Sequence, residues 1–407
     1  MIAVEEALRL VLTQANPLPA ARIPVGESLG CALAEDVLSD LDSPPWDKSM
    51  VDGYAIRVAD LSTGTAELKV LEEVVAGAVP SQAIQLGTAT RIMTGAPIPA
   101  GTEAVVMVER TELLANDRVR IEAPPHEVGQ NILRCGSSFR RGTVIVPSGT
   151  TIGPVHVGLF CEVGRAKPLV IPRPRVAILS TGNELVSAAE IPQPGQIRNS
   201  NGPMLAALVA KVRATPQQLG VARDELDALR RLVAEGLKSD VLVLSGGVSA
   251  GVLDLVPQVL NELGVEQVFH KVSIKPGKPL WFGVRHREGR RTLVFGLPGN
   301  PVSSLVGFEL FVRPAIERLA GRTAAPHQTY RAKIGDGRVH QRGNRTTYHP
   351  AVRESGAPHG SDLPTVKLLS WHGSADLRTL ADANLLAILP PGDQIYSVGG
   401  EIEVLPI

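Results

Sequence analysis

Three short apolar runs constrain this chain most: Val176–Leu179, Val241–Leu244 and Thr292–Phe295. Each runs into a glycine-bearing loop, and helical patterns follow. A strand with no polar alternation has to be buried on both faces, which points to a sheet covered by helices on each side. The intervening segments fit. Pro203–Val212 is predicted helical, with Pro203 suited to the first turn after Asn201-Gly202. The next helix carries Leu226, Leu229, Val233 and Leu237, with Asp224 as its expected cap. Leu255–Leu263 is a helix closed by Gly264, and Val265–Ser273 is strand-like. Val302–Leu319 is a helix with a kink or restart at Pro314. Repeated strand–helix order over Arg175–Leu319 predicts an open α/β domain with a mainly parallel sheet.

The flanks read differently. Val4, Ala7, Leu8, Val11 and Leu12 follow helical spacing, and Asn16-Pro17 stops that helix. From Ser43 to Val146 short runs appear at Leu68–Val75, Thr90–Met93, Ala104–Val108 and Val119–Ile121, punctuated by Gly, Pro and Asn-Asp. They predict an all-β module. Pro172-Arg-Pro174 reads as a linker. A second small β module follows Arg322, with strands at Tyr330–Lys333, Arg345–Tyr348, Leu385–Leu389 and Ile402–Leu405.

Composition excludes several classes. Lys plus Arg and Asp plus Glu both number 41, which argues against a broad nucleic-acid surface. Cys31, Cys135 and Cys161 are scattered, so neither a disulfide framework nor a zinc site is expected. The nine histidines form no H-x-x-x-H or H-x-E pattern. The first residues lack a basic leader, and no apolar run nears the ~20 residues a bilayer needs. No membrane association is expected, and the compartment is read as cytoplasmic.

In an open α/β sheet, ligands sit beyond the carboxyl ends of the strands. The loops there are Ser180-Thr-Gly-Asn-Glu184, Ser245-Gly-Gly-Val-Ser-Ala-Gly251 and Gly296-Leu-Pro-Gly-Asn-Pro301. Glycine lets backbone approach a ligand, and N–H groups at helix starts attract anions. One such loop serves turn geometry alone; three on one edge point to a phosphate-bearing ligand. Lys271, Lys275 and Lys278 crowd one Pro-stiffened segment and suit phosphate as point charges, although a solvated basic turn would read the same way. Glu184, Asp224, Asp254 and Asp52 add carboxylates suited to Mg²⁺ shared with phosphate oxygens. Taken alone, Asp224 reads equally as a helix cap and Asp52-Gly53 as a turn.

Together these segments resemble the molybdopterin molybdenumtransferase family, MoeA and the E domain of gephyrin. The matching stretches are Pro44-Pro-Trp-Asp-Lys-Ser-Met-Val-Asp-Gly-Tyr-Ala55, Arg91-Ile-Met-Thr-Gly-Ala-Pro97, Ser180-Thr-Gly-Asn-Glu-Leu185, Ser245-Gly-Gly-Val-Ser249 with Asp254, Ile274-Lys-Pro-Gly-Lys-Pro279 and Gly296-Leu-Pro-Gly-Asn-Pro-Val-Ser303. Gly373-Ser374 and Ala383-Asn384 also fit. The resemblance implies an elongated helical region from residues 1–44 and 141–170, an all-β tip module at 45–140, a molybdopterin-binding-type α/β domain at 171–321 and a small β-barrel at 322–407. It implies insertion of molybdate into adenylated molybdopterin with release of AMP, assisted by Mg²⁺. Asp52, Thr94, Glu184, Asp224 and Asp254 would line the reacting end, with Asp254, Glu184 and Asp52 toward the metal. Thr181, Gly182, Gly246, Gly247, Ser249, Lys271, Lys275, Lys278, Pro298, Gly299, Asn300, Pro301, Ser303, Arg345 and Ser374 would hold substrate or molybdate. A homodimer with sites shared between subunits is implied. Implied partners are the molybdopterin adenylyltransferase upstream and molybdoenzyme acceptors downstream. Two positions depart from the family pattern: Ser138 stands where an aspartate is expected, and Val252 where an acidic residue is common. They motivate an alternative, a non-catalytic molybdopterin-binding or scaffold paralogue. An adenylyltransferase built on the same α/β domain is a third reading, and the added β modules speak against it.

Overall fold

The computed structural model describes residues 1–247, 255–322, 328–354 and 363–407. These form two compact units. One comprises Met1–Arg22, Gly30–Ala34 and Leu169–Ile407; the other comprises Ile23–Leu29 and Glu35–Pro168.

The first unit is centred on a six-stranded sheet. Its order is Thr215–Ala222, Arg175–Thr181, Val241–Ser245, Arg290–Leu297, Trp281–Arg287, Val265–His270. The first four strands are mutually parallel. The last two run antiparallel to their neighbours. Alternate residues along each central strand feed opposite cores, as the two-residue period requires. Val176, Ile178, Val241, Val243, Leu293 and Phe295 pack with Leu205, Val209, Val306 and Ile316 on one face. Ala177, Leu179, Leu242, Leu244 and Val294 pack with Leu229, Val233, Val256 and Leu260 on the other. Thus the apolar runs are buried on both sides for the reason their composition suggested. The N-terminal helix Val4–Gln14 belongs to the first core, burying Val4, Ala7 and Val11 there.

Beyond the Gly296–Pro301 loop the chain forms a helix at Pro301–Gly307, a π-helical turn at Phe308–Val312 and a helix at Arg313–Leu319. Pro314 has no N–H for the i→i−4 ladder, and the widened turn before it matches the expected restart. Within that turn the Glu309 carboxylate is buried and accepts a 2.9 Å bond from Arg313 Nη1. Burial raises its pKa; the Arg313 charge works against that rise.

The C-terminal part of this unit closes into a small barrel. Thr346–Arg353, Thr365–Leu368, Tyr330–Asp336, Glu401–Pro406 and Leu385–Leu389 pair in sequence, and the last strand pairs back onto the first. Ala332, Ile334, Ala351, Val366, Ala387 and Val404 fill it. The two-residue strand Ile274–Lys275 adds to Thr346–Arg353 in parallel, joining the barrel to the lysine segment. His349 is 4% exposed on that same strand. Its Nε2 contacts the Leu369 carbonyl at 2.8 Å, and its ring meets Trp371 edge-on.

Burial pushes the His349 pKa down to about 4 from 6.5, with the Lys275 charge adding to the shift. Between those values the unfolded chain binds a proton that the folded chain refuses, so stability falls as pH falls through that window. The full loss is expected to be about 3 kcal/mol. Replacing His349 by Gln should flatten the melting-temperature slope between pH 7 and 4.5. An unchanged slope in a folded variant would assign the acid sensitivity to other groups.

The second unit holds a six-stranded sheet in the order Ala104–Met107, Gly53–Ile56, Thr88–Ile92, Thr65–Val74, Arg118–Glu122, Thr111–Leu114. Tyr54, Ile56, Ala89 and Val106 pack on one face, and Ala55, Val74, Ile92 and Val105 on the other. Asn116 and Asp117, both at positive φ, make the tight hairpin between its last two strands. A helix at Pro154–Glu162, begun by Pro154, completes the unit.

Candidate functional site

Three parallel strand ends meet at the carboxyl edge of the α/β sheet. Thr181, Ser245 and Leu297 end adjacent strands, with Ser180 registered on Ser245 and Ser245 on Leu297. At Gly246 and Gly247, φ is +93° and +63°, values that L side chains rarely adopt. A Cβ on Gly246 would lie 2.6 Å from the Thr181 carbonyl, and one on Gly247 would lie 2.8 Å from Thr181 Oγ1. A Cβ on Gly299 would reach within 3.8 Å of Gly246 Cα, so the second and third loops approach each other.

The segment Asn199-Ser-Asn201 ties these ends together. Asn199 Oδ1 accepts from Ser180 Oγ at 3.1 Å and from the Gly202 N–H at 3.0 Å. Asn201 Nδ2 donates to Ser245 Oγ at 2.8 Å and to the Gly299 carbonyl at 2.6 Å. Sequence reasoning treated Asn201 only as the approach to a helix and passed over Asn199. Both stand just before a helical run, where asparagine is read as punctuation.

Glu184 and Asp224 lie on neighbouring loops, and both are exposed. Glu184 folds back over Gly182, whose added Cβ would meet its carboxylate at 2.4 Å. Asn183 links the two loops: its Oδ1 accepts the Asp224 N–H at 3.1 Å, and its carbonyl accepts Arg223 Nη1 at 2.6 Å. Asp224 does not cap the following helix. Leu226–Gly236 has Glu225 at the cap position, with no side-chain bond there.

The third loop leads directly into a helix whose first residue is Pro301. Pro298 is buried, and its carbonyl accepts Ser304 Oγ at 2.6 Å. Asn300 is exposed and donates through Nδ2 to Ser374 Oγ at 2.9 Å, while the Val302 N–H reaches the Ser374 carbonyl at 3.1 Å. The barrel's Gly373-Ser374 turn thus sits on the α/β loop. Asp376 anchors that turn by accepting from the Thr379 and His372 N–H groups, which hold its carboxyl far below the usual carboxylate range. Ser303 is buried under Gly277.

Lys275 and Lys278 are exposed, and Lys271 is half-buried with φ +72°. Arg345 donates from Nη1 to the Ile274 carbonyl at 3.0 Å, next to Lys275. Two pairs thus join segments far apart in sequence: Arg345 with the strand Ile274–Lys275, and Ser374 with Asn300. Ser249, Val252 and Asp254 lie outside the described residues.

Asp52 and Thr94 belong to the second unit. Asp52 Oδ1 accepts from both the N–H and Oγ1 of Thr94, each at 2.7 Å. The backbone bond, then the hydroxyl bond, lowers the Asp52 pKa. Ser138 is exposed and donates its N–H to the Ser43 carbonyl at 2.9 Å. Among the described residues, no three Asp, Glu, His or Cys side chains gather into a metal cage. No described helix is long and apolar enough to cross a membrane.

An α/β domain with clustered glycine bends at its strand ends, carrying a barrel whose Gly373-Ser374 turn reaches the same edge, defines a class of multidomain α/β-plus-barrel proteins. Family models narrow this: residues 2–164 match the MoeA N-terminal region (domain I and II), 177–318 a probable molybdopterin binding domain and 336–407 the MoeA C-terminal region (domain IV). The molybdopterin molybdenumtransferase of Staphylococcus aureus (strain Mu50) is 33% identical over 99% of this chain and 95% of its own. The Bacillus subtilis protein of that name is 34% identical over 100% and 94%, and the Nostoc one 36% over 93% and 86%. A crystal structure of the molybdopterin biosynthesis MoeA protein from Pyrococcus horikoshii superposes with a TM-score of 0.79 at 32% identity, covering 100% of this chain and 99% of that one. The chain belongs to the molybdopterin molybdenumtransferase (MoeA) family.

Proposed function

We propose that this chain is a transferase of molybdenum cofactor biosynthesis that inserts molybdenum into adenylated molybdopterin. The pyrophosphate linkage is cleaved and AMP is released. One observation carries the reading: three glycine bends converge on one sheet edge in a chain that aligns end to end with proteins named for that transfer. Those full-length matches favour the enzyme over a non-catalytic paralogue. Matches to family regions on both sides of the α/β domain speak against a stand-alone adenylyltransferase.

In this reading Thr181, Gly182, Gly246, Gly247 and Gly299 offer backbone to the phosphates, and Lys271, Lys275 and Lys278 offset their charge. Ser249 joins them from outside the described residues. Pro298, Asn300, Pro301, Ser303, Arg345 and Ser374 form the side that takes molybdate. Donors fixed in advance, such as Ser374 and Arg345, suit an oxyanion because little reorganisation is left to do. Glu184, Asp224 and Asp254, with Asp52 and Thr94, form the reacting end.

Magnesium fits this donor set as a shared ion. Mg²⁺ takes one or two carboxylates and completes its shell with substrate oxygens and water, so an exposed carboxylate such as Glu184 suffices where a protein cage is absent. Glu184, Asp254 and Asp52 would hold it, and it would supply positive charge to the phosphoryl oxygens.

The remaining proposals rest on the family: the four-part division of the chain with its elongated region and tip module, a cytoplasmic location, a homodimer with shared sites, and exchange with the adenylyltransferase and molybdoenzyme acceptors. Surface composition supports the dimer. Leu38 and Val144 pair across two strands of the second unit, and both are exposed, as are Leu41, Trp46 and Met50.

The test is a single-turnover reaction with adenylated molybdopterin, molybdate and Mg²⁺. Release of AMP together with molybdenum cofactor is expected. Tight binding without AMP would return the chain to the scaffold alternative.

A further inference from the structure

Asn201 is 7% exposed and opens the helix Asn201–Lys211 without capping it. Its Nδ2 is fully engaged between Ser245 and Gly299. Its Oδ1 is buried and has no hydrogen-bond partner among the described residues. Thr181 is 4% exposed, and its Oγ1 is orphaned in the same way. Both side chains adjoin the Gly246–Gly247 bend: Thr181 Oγ1 lies against it, and Asn201 is bonded to Ser245 just before it and to Gly299, which faces Gly246.

Buried polar atoms nearly always find partners, because an unpaired one carries its full desolvation cost. Packing alone would be served as well by valine at residue 181. Two orphans beside one glycine bend therefore call for a common explanation, and a ligand that offers a donor to Asn201 Oδ1 and a hydrogen-bond partner to Thr181 Oγ1 provides it. That donor is not an ionised phosphate oxygen, since a carboxamide oxygen can only accept.

We propose that Asn201 and Thr181 form a hydrogen-bond seat for N–H or O–H groups of the substrate, on its nucleotide or pterin part, at the base of the glycine loops. Asn201 also acts as a positioning residue, because the same carboxamide sets the spacing of two of those loops. The proposal rests on the transferase reading given above for the identity of the substrate.

Thr181→Val separates a seat from a purely structural hydroxyl. The variant keeps shape and loses only the orphaned oxygen. The free protein should melt at or above the wild-type temperature, since an unpaired buried hydroxyl is removed. Affinity for adenylated molybdopterin, titrated without molybdate, should fall about fivefold or more. Asn201→Leu should weaken it about tenfold or more by the same reasoning. In turnover both variants should raise KM for adenylated molybdopterin while leaving KM for molybdate within about twofold, since molybdate is taken to make no bond to this pair. Unchanged affinity in Thr181→Val overturns the seat, as does an equal rise in both KM values. Should Asn201→Leu not fold, Thr181→Val alone carries the test. Binding without any AMP release by the wild type would count against the transferase reading and leave the titration to decide the seat.

Discussion

Mixing Asp52→Ala subunits with Glu184→Ala subunits is expected to restore about a quarter of wild-type AMP release, where each variant alone retains about 1% or less. Asp52 is the better defined of the two groups. Thr94 holds Oδ1 through two short bonds, so the carboxylate is anionic at neutral pH and fixed in direction. Oδ2 has no partner among the described residues. Glu184 occupies the α/β edge beside Gly182. If a site takes Asp52 from one subunit and Glu184 from the other, random exchange makes half the dimers mixed. Each mixed dimer then has one intact site of two, hence the quarter. Activity that never exceeds the sum of the two variants, after exchange verified by differently tagged subunits, would place both groups in one subunit's site and overturn the shared arrangement.

The glycine loops were legible because strand burial and loop chemistry leave separate marks on a sequence. Val241–Leu244 is apolar throughout since both faces are covered, and the bend after Ser245 needs positive φ at two successive glycines. Strands with weaker marks escaped. Thr215–Ala222 is an edge strand carrying Gln217 and Gln218, and its exposed face looks like loop. Trp281–Arg287 turns basic halfway, and its partner begins after the Glu288-Gly289 turn, so the hairpin was hidden in a run of charges. The antiparallel end of the sheet was therefore unforeseen. Asp224 reads as a cap because acidic residues before helices usually are, yet the helix Leu226–Gly236 has Glu225 at its cap position; the Asp224 N–H donates to Asn183 Oδ1, 41 positions away. Likewise the Asn300–Ser374 bond joins residues 74 apart. Such contacts leave no periodic signal, so the barrel's part in the edge came only from resemblance.

Gly53→Ala is expected to destabilise the second unit by about 3 kcal/mol or more, far beyond the usual cost of one added methyl. Gly53 begins the strand Gly53–Ile56, flanked by Ile92 on one side and Met107 on the other. An added Cβ would lie 1.8 Å from the Val106 carbonyl oxygen and 3.1 Å from Met107 Cα. Both obstacles are backbone, so no rotamer change relieves them. Strands with faces packed on Tyr54, Val106, Ala55 and Val105 would have to separate. Asp52 precedes Gly53, and its carbonyl accepts the Val108 N–H at 2.9 Å, so the same shift would displace the Asp52–Thr94 pair. Gly158→Ala is the matched control. Gly158 lies within the helix Pro154–Glu162, and a Cβ there would meet nothing within 4 Å. Alanine should stabilise that helix by about 0.5–1 kcal/mol. Calorimetry of the full chain reads both changes: a transition lowered by many degrees for Gly53→Ala and slightly raised for Gly158→Ala. A Gly53→Ala protein that melts with wild type would mean that the neighbouring strands can part at little cost, and that glycine at this position serves something other than close packing.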